Sequence, residues 1–479
     1  MIIGKTNKTI LMMALLAVIT ILSACNALVT PSGSTPECTE PLSERETESE
    51  INESETEQMV ETAISESKEQ RPIEEDHNGM ERFFGKWMPK KIEDVNKKTL
   101  ANPTSMLFDL TSDLRFTVSD VLVRINAYTI PDSGSLDGIP IDLVAREEIR
   151  KSCNFDVLTA RITDPNDDAV VEPKYGILVT NADVRSFPTH ARYNKLGSSP
   201  DIDYFQETKL PFASGVLVLH SSLDGKYSFC QGEYYSGWIG NEDIAITDKD
   251  AFIKYMTPER FAVALGTDRS VDWNRMGLLI PVRSVSEDVV TLLLPKRNED
   301  GGLSFYTRDI SLTSGSYSLG FLEYSPGLAT EMIEGMIGTP YGWGDENGYY
   351  DCSGINVALF RCFGYFLPRN SSIMSSYGGV NIDMSAMSHE EKVNVVRKYR
   401  GCVISWPGHA IFFKGINVVD EEERFEIVQE GTGYFTKSGE LIETFSATLE
   451  DANEIYRGNG MSFLDSVQTL IVPGIEGLD

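Results

Sequence analysis

The residue with the most evident chemistry in this chain is a cysteine at the start of an apolar run. Asp351-Cys352-Ser353-Gly354 leads into Ile355–Phe363, and Gly364 closes the run. Aspartate is a favoured N-cap and glycine a favoured helix stop, so the spacing predicts a buried helix with Cys352 in its first turn. There the helix dipole and the amides not used within the helix favour the thiolate, which is the nucleophile. A cysteine at a helix start can equally be structural, so the reading depends on a base. Five histidines are available. His77 lies in a polar acidic stretch, and His389 in Ser388-His389-Glu390-Glu391 reads as an exposed helix start. His190 and His220 belong to an earlier, strand-rich region. His409 opens the apolar strand of Gly408-His409-Ala410-Ile411-Phe412-Phe413 and is the candidate base.

The following strand reads Phe425-Glu426-Ile427-Val428-Gln429-Glu430. With a hairpin centred on Val419, Gln429 lies directly opposite His409, where cross-strand Cβ atoms are about 4.5–5.5 Å apart. Gln429 would then accept a hydrogen bond from one imidazole nitrogen and leave the other for Cys352. That is the nucleophile–base–orienter logic of cysteine hydrolases. A slip of one residue would break the pairing.

These residues carry a family resemblance. Asp-Cys-Ser-Gly opening a helix, Leu367-Pro368-Arg369-Asn370-Ser371 after it, and Gly-His at a strand start resemble NlpC-type bacterial cell-wall cysteine peptidases. The resemblance implies a circularly rearranged papain-like fold and hydrolysis of the γ-D-glutamyl–diamino acid bond of murein stem peptides. It matches Cys352 to the nucleophile and His409 to the base, and puts Gln429 where a polar third residue, most often histidine, is found. Asp351 and Ser353 match positions bordering the substrate cleft, and Tyr341, in Tyr341-Gly342-Trp343-Gly344, matches an aromatic near it. Asn370 stands where relatives carry an aspartate associated with the free amine of substrate L-Ala. A neutral residue there implies softer amine selection, with Asp351 left as the acceptor. Neither metal nor cofactor is called for. A muramoyl-L-alanine amidase using the same thiol chemistry is the alternative reaction, and a non-catalytic wall-binding lipoprotein is the alternative class.

The elements that must position these groups form a multidomain chain. Residues 80–150 read as a mainly helical N-terminal segment with a long Ser119–Tyr128 stretch. Residues 151–245 and 246–318 read as two all-β SH3-like barrels, and 319–479 as an α+β papain-like C-terminal catalytic domain. The first barrel is signalled by Gly215–His220, the Leu223-Asp224-Gly225-Lys226 turn and the close Gly237-Trp238-Ile239. An Asp-Gly turn between strands signals a hairpin. Arg185-Ser186-Phe187-Pro188-Thr189 also fits the resemblance, and a weaker copy of the barrel pattern spans Leu278–Tyr306. In relatives such a first barrel walls off the cleft, which would admit a short peptide beginning with free L-Ala.

Upstream, Lys5 and Lys8 precede the 12 apolar-run residues Ile10–Ile21. That run is short of the roughly 20 residues a membrane span needs, so 1–25 reads as a signal sequence. Its end, Leu22-Ser23-Ala24-Cys25, resembles a bacterial lipobox and implies lipidation of Cys25, hence an extracytoplasmic protein anchored to a membrane. Residues 26–79 read as an unstructured acidic tether, since they lack the apolar area to offset the entropy of ordering. Between Glu37 and Asp76 there are 15 acids and three bases, so this stretch carries −12 of the formal −30. So acidic a chain is not expected to bind nucleic acid. Its expected partners are murein peptides and the membrane, and it is expected to act as a monomer. Seven cysteines without a CxxC pair give no zinc signature.

Overall fold

The computed structural model describes residues 90–162 and 169–473. The expected signal sequence, Cys25 and the acidic segment lie outside the described residues.

The N-terminal segment is largely helical. Lys90–Ala101, Val118–Asn126 and Leu143–Ser152 are its main helices. The second begins at a capping box between Thr117 and Asp120 and buries Val118, Val121 and Ile125, a three-and-four spacing that seats one face. Two antiparallel sheets follow. The first has seven strands in the order Ile244–Thr247, Lys174–Leu178, Gly215–Ser221, Tyr227–Gln231, Ser236–Gly240, Ala182–Arg185 and Gln206–Leu210. Gly225 takes φ 71° in the Asp-Gly turn, which a side chain would resist. Trp238 is fully buried at the heart of this unit, edge-on to Phe229 and His220. The second sheet has five strands, Leu303–Ser311, Val289–Arg297, Leu279–Ser286, Phe261–Ala264 and Tyr317–Leu319.

The C-terminal part is α+β, as expected. Its six-stranded sheet runs Val380–Asp383, Thr469–Val472, Cys402–Trp406, His409–Val419, Glu422–Phe435 and Leu441–Asp451. The helix Cys352–Arg361 lies across the strand His409–Val419, with the Phe360 and Phe412 rings 6.2 Å apart. Alternation splits this sheet between two cores. Ala410, Phe412 and Val428 pack toward the helix, while Ile411, Phe413 and Ile427 pack on the other face with Trp406 and Phe463.

Every other unit braces that helix. Arg361, at its end, forms a fork of two 2.8 Å hydrogen bonds with Glu233 of the first barrel. Gly277 of the second barrel comes so close that a Cβ there would sit 2.4 Å from the Ala358 carbonyl oxygen. Asn96 of the N-terminal helix donates to the Gly364 carbonyl and accepts from the Phe366 amide. The N-terminal segment also reaches the cavity beside Cys352, through Ala127, Tyr128, Thr129 and Pro131.

Candidate active site

Asp351 caps the helix as its sequence position predicts. Its Oδ1 accepts from the Ser353 and Gly354 amides, at 3.1 and 2.7 Å. The same carboxylate is gripped by Arg369, Nη1 to Oδ1 at 3.0 Å and Nη2 to Oδ2 at 2.7 Å. Arg369 also donates to the Ser353 hydroxyl and pairs with Asp345, which Arg275 holds from its other side at 3.1 Å. Both arginines are about as buried as the aspartates they meet. Charge-assisted forks of this kind fix geometry as well as lowering energy. Here the network ties the Leu-Pro-Arg turn, the segment before the helix and the helix start into one rigid corner. Arg369 belongs to the quoted motif, but its spacing in sequence did not reveal that it holds Asp351.

His409 follows a two-residue turn, Pro407-Gly408, with Gly408 at φ 97°. Proline presets the first turn position and glycine takes the positive φ of the second. The imidazole lies against Trp406 and Phe463, ring centres 5.2 and 5.9 Å away. Burial there pulls it down to about 4, with the Gln429 hydrogen bond opposing and Arg457 reinforcing the shift. The imidazole is therefore neutral in mildly acidic and neutral solution.

Gln429 does meet His409, though not by the expected pairing. The hairpin turns at Asp420-Glu421, and the register passes through Phe412↔Val428 and Phe413↔Ile427. Continued three residues past Phe412↔Val428, it sets His409 against Gly431, so Gln429 is a diagonal neighbour. The contact survives because of a bulge at Lys414, between Phe413 and Gly415. From the turn to the bulge, paired residue numbers sum to 841, and beyond it to 840. Side chains alternate with period two, so without that extra residue Gln429 would point to the opposite face. Gln429 is fully buried. Its Nε2 donates to Thr448 Oγ1 at 3.2 Å, which turns its Oε1 toward His409 Nε2 at 3.4 Å. Nε2 then carries the proton, and Nδ1 is left as the basic nitrogen. Gly431 leaves the space: a Cβ there would lie 3.1 Å from Gln429 Oε1 and 3.6 Å from His409 Cε1.

Cys352, Tyr341, Asp351, Ser353 and Asn370 all line a cavity of about 490 Å³, together with Gly408 from the turn before His409. The far wall comes from the first barrel and includes Ser186, Phe187, Tyr204, Glu207 and Tyr235. Glu207 is the notable residue missed in the sequence. Its carboxylate accepts from Ser186 and, at 2.7 Å, from the Tyr235 hydroxyl, while burial raises it above the usual carboxylate range. The Arg-Ser-Phe-Pro-Thr motif thereby acquires a part for each of three residues: Arg185 pairs with Asp203 at 2.9 Å, Ser186 holds Glu207, and Phe187 lines the wall. Trp343 locks the barrel to the catalytic part by donating to the Gln206 carbonyl at 3.1 Å.

Two site expectations change in detail. Asp351 already has a cation, so it is a poorer acceptor for a substrate ammonium than its sequence position suggested. Asn370 spends its carbonyl on the Ser372 amide at 2.9 Å, as an N-cap, although it still borders the cavity. His389 takes no part: its Nδ1 meets Asp465 at 2.8 Å at an exposed helix start.

Comparison with known proteins fits this architecture. A model of the SH3 domain of SH3b1 type matches residues 188–240. An NlpC/P60 endopeptidase from Photobacterium damselae subsp. piscicida superposes with a TM-score of 0.61 at 18% identity, covering 84% of this chain and 98% of its own. An NlpC/P60 family protein from Bacillus cereus aligns at a TM-score of 0.40 and 13% identity, over 62% of this chain and 99% of its own. No curated protein matches this chain in sequence. The chain therefore shares the fold of that NlpC/P60 endopeptidase, with an SH3-like domain ahead of its α+β C-terminal part.

Proposed function

We propose that this protein is a cysteine endopeptidase of the bacterial cell envelope that cleaves the γ-D-glutamyl–diamino acid bond of murein stem peptides. The observation that carries this reading is one cavity bordered by Cys352, by the turn that presents His409, and by a wall from the first barrel that includes Glu207. His409 Nδ1 takes the thiol proton as Cys352 Sγ attacks the amide carbonyl. The Ser353 and Gly354 amides are committed to Asp351, so the oxyanion role at the helix start falls to the Cys352 amide. The imidazolium then protonates the leaving amine, and water hydrolyses the thioester by the same base.

Glu207 supports a short substrate with a free amine. A buried ammonium needs an anion, and Glu207 faces the cavity held by the Ser186 and Tyr235 hydroxyls, with Lys195 and Arg185 acting on it without a direct ion pair among the described residues, whereas Asp351 is paired directly with Arg369. The expected lipobox extends the reading to a membrane-tethered enzyme, and Cys25→Ala should then leave it in the soluble fraction or as unprocessed precursor. The deciding assay is mass spectrometry of L-Ala-γ-D-Glu-diamino acid peptide after incubation with the purified protein and with Cys352→Ala. Release of L-Ala-γ-D-Glu by the first alone supports the assignment. Release of intact stem peptide from muramoyl-peptide would instead select the amidase, and no cleavage of either would leave a binding protein.

A further inference from the structure

The reaction outlined above uses the Gln429 face of its strand and leaves the neighbouring residue unexplained. Glu430 projects to the opposite face, shared with Val428, which belongs to the same core as Ile355 and Leu359 of the nucleophile helix. It is only 1% exposed, and neither carboxyl oxygen has a hydrogen-bond partner among the described residues. A second orphan lies on the helix packed against this strand. Asn356 is fully buried and donates from Nδ2 to the Cys352 carbonyl at 2.8 Å, while its Oδ1 has no partner. Two buried acceptors on packed elements repel one another, but a protonated carboxyl supplies the O–H that an amide oxygen lacks.

The surrounding charges favour the protonated form. Asp351 at the helix start and Asp345 before it both act on Glu430, and Tyr341 lies near enough to be influenced by it. Arg369 and Arg275 are both paired with the two aspartates, Arg369 keeping one buried N–H, at Nε, without a partner, and no ion pair to Glu430 is present among the described residues. Burial, followed by those two aspartates, pushes the carboxyl up to about 9.

We propose that Glu430 is a positioning residue. As a neutral acid it donates to Asn356 Oδ1, directly or through one buried water, and so steadies the Cys352 carbonyl and the first turn that presents the thiol. This rests on Cys352 being the nucleophile. On ionisation the donor is lost and an unpaired anion faces Asp345 and Asp351, so the helix start loosens and turnover falls.

The test is the pH profile of kcat and KM for the wild type, Glu430→Gln and Glu430→Leu, alongside the rate of Cys352 alkylation by iodoacetamide. Glutamine keeps a neutral donor, so it should match the wild type near neutral pH and keep its kcat above about pH 9, where the wild type declines. Leucine should lower kcat about 10-fold at neutral pH with KM nearly unchanged. An alkaline limb shared by wild type and Glu430→Gln, or a Glu430→Leu enzyme as fast as wild type, overturns the proposal. If Glu430→Leu does not fold, the glutamine profile decides alone. If the wild type hydrolyses no peptide, the proposed function fails first. The alkylation profiles then judge Glu430 by the same criterion: a separation of wild type from Glu430→Gln above about pH 9 supports it, and coincident profiles overturn it.

Discussion

The two faces of the C-terminal sheet carry opposite electrostatics. Toward the helix, Asp345, Asp351, Arg275 and Arg369 form a dense, buried, nearly balanced network. On the other face His409 sits among Trp406, Phe463 and the amide of Gln429, with no carboxylate in its first contacts. The difference separates two tasks. Paired charges hold backbone where it must be but would fix an imidazole in its charged form. A base has to remain neutral until it accepts a proton, so it is kept where charge is unsupported. The cost is a weaker hold on the imidazolium once it forms.

That contrast can be broken most severely by removing the two groups proposed to react. Cys352→Ala and His409→Ala should each reduce kcat/KM by about 10³-fold or more, and the double variant should be little worse, because the two act as a unit. Thermal melts should stay close to wild type, since neither group belongs to the ionic network. A His409→Ala enzyme with full activity would shift the role of base elsewhere.

Arg369→Leu attacks the opposite face. It strands Asp351 and leaves Asp345 with Arg275 alone, so unfolding in denaturant should reveal a loss of about 3–5 kcal/mol. Gln429→Ala should show the reverse pattern: near-normal stability with activity down about 10-fold, because water can partly replace an orienting amide.

The pH dependence sharpens the comparison further. The reaction needs neutral His409, so kcat/KM should rise as pH increases through about 4, well below the range of a free imidazole. Gln429→Glu puts a carboxylate on the Nε2 proton, favours imidazolium, and should move that limb upward by about one unit or more. An unchanged limb in the variant would mean that Gln429 does not tune the base.

The smallest effect concerns substrate choice. Peptides with a free N-terminal amine should be cleaved faster than their N-acetylated counterparts. Asn370→Asp keeps the N-cap and adds a charge to the cavity rim, so it should widen that gap by several-fold. Glu207→Gln should narrow it. Equal rates on both peptides in every variant would mean that the barrel does not gate the cleft.

Local chemistry accounts for what was readable in the chain. The Asp351 cap, the apolar run behind Cys352 and the strand that His409 opens each act over a few residues, and sequence spacing records them directly. The His409–Gln429 contact was anticipated from the wrong register. It held because the error was two residues, which preserves the face. In Phe413-Lys414-Gly415 the glycine, at φ 137°, is the one local hint of a bulge, and a single strand glycine does not fix the register by itself. Glu207 and Arg369 were out of reach for a different reason. Their roles arise from tertiary packing of separate segments: Glu207 meets Ser186 and Tyr235, 21 and 28 positions away, and Arg369 meets Asp351, 18 positions away. Glu430 closes the Phe425–Glu430 run, and only the fold reveals that it has no solvent.

The Lys414 bulge also determines where this protein can change length. Beyond it the hairpin tip, from Asn417 to Arg424, is largely exposed and packs against little. Residues gained or lost at the Asp420-Glu421 turn alter only that outer ladder, while the inner ladder stays anchored by the Phe412 and Phe413 pairs. The tip is accordingly the part of the catalytic domain most open to drift among descendants of this sequence, and the natural place to graft a foreign loop without disturbing the thiol.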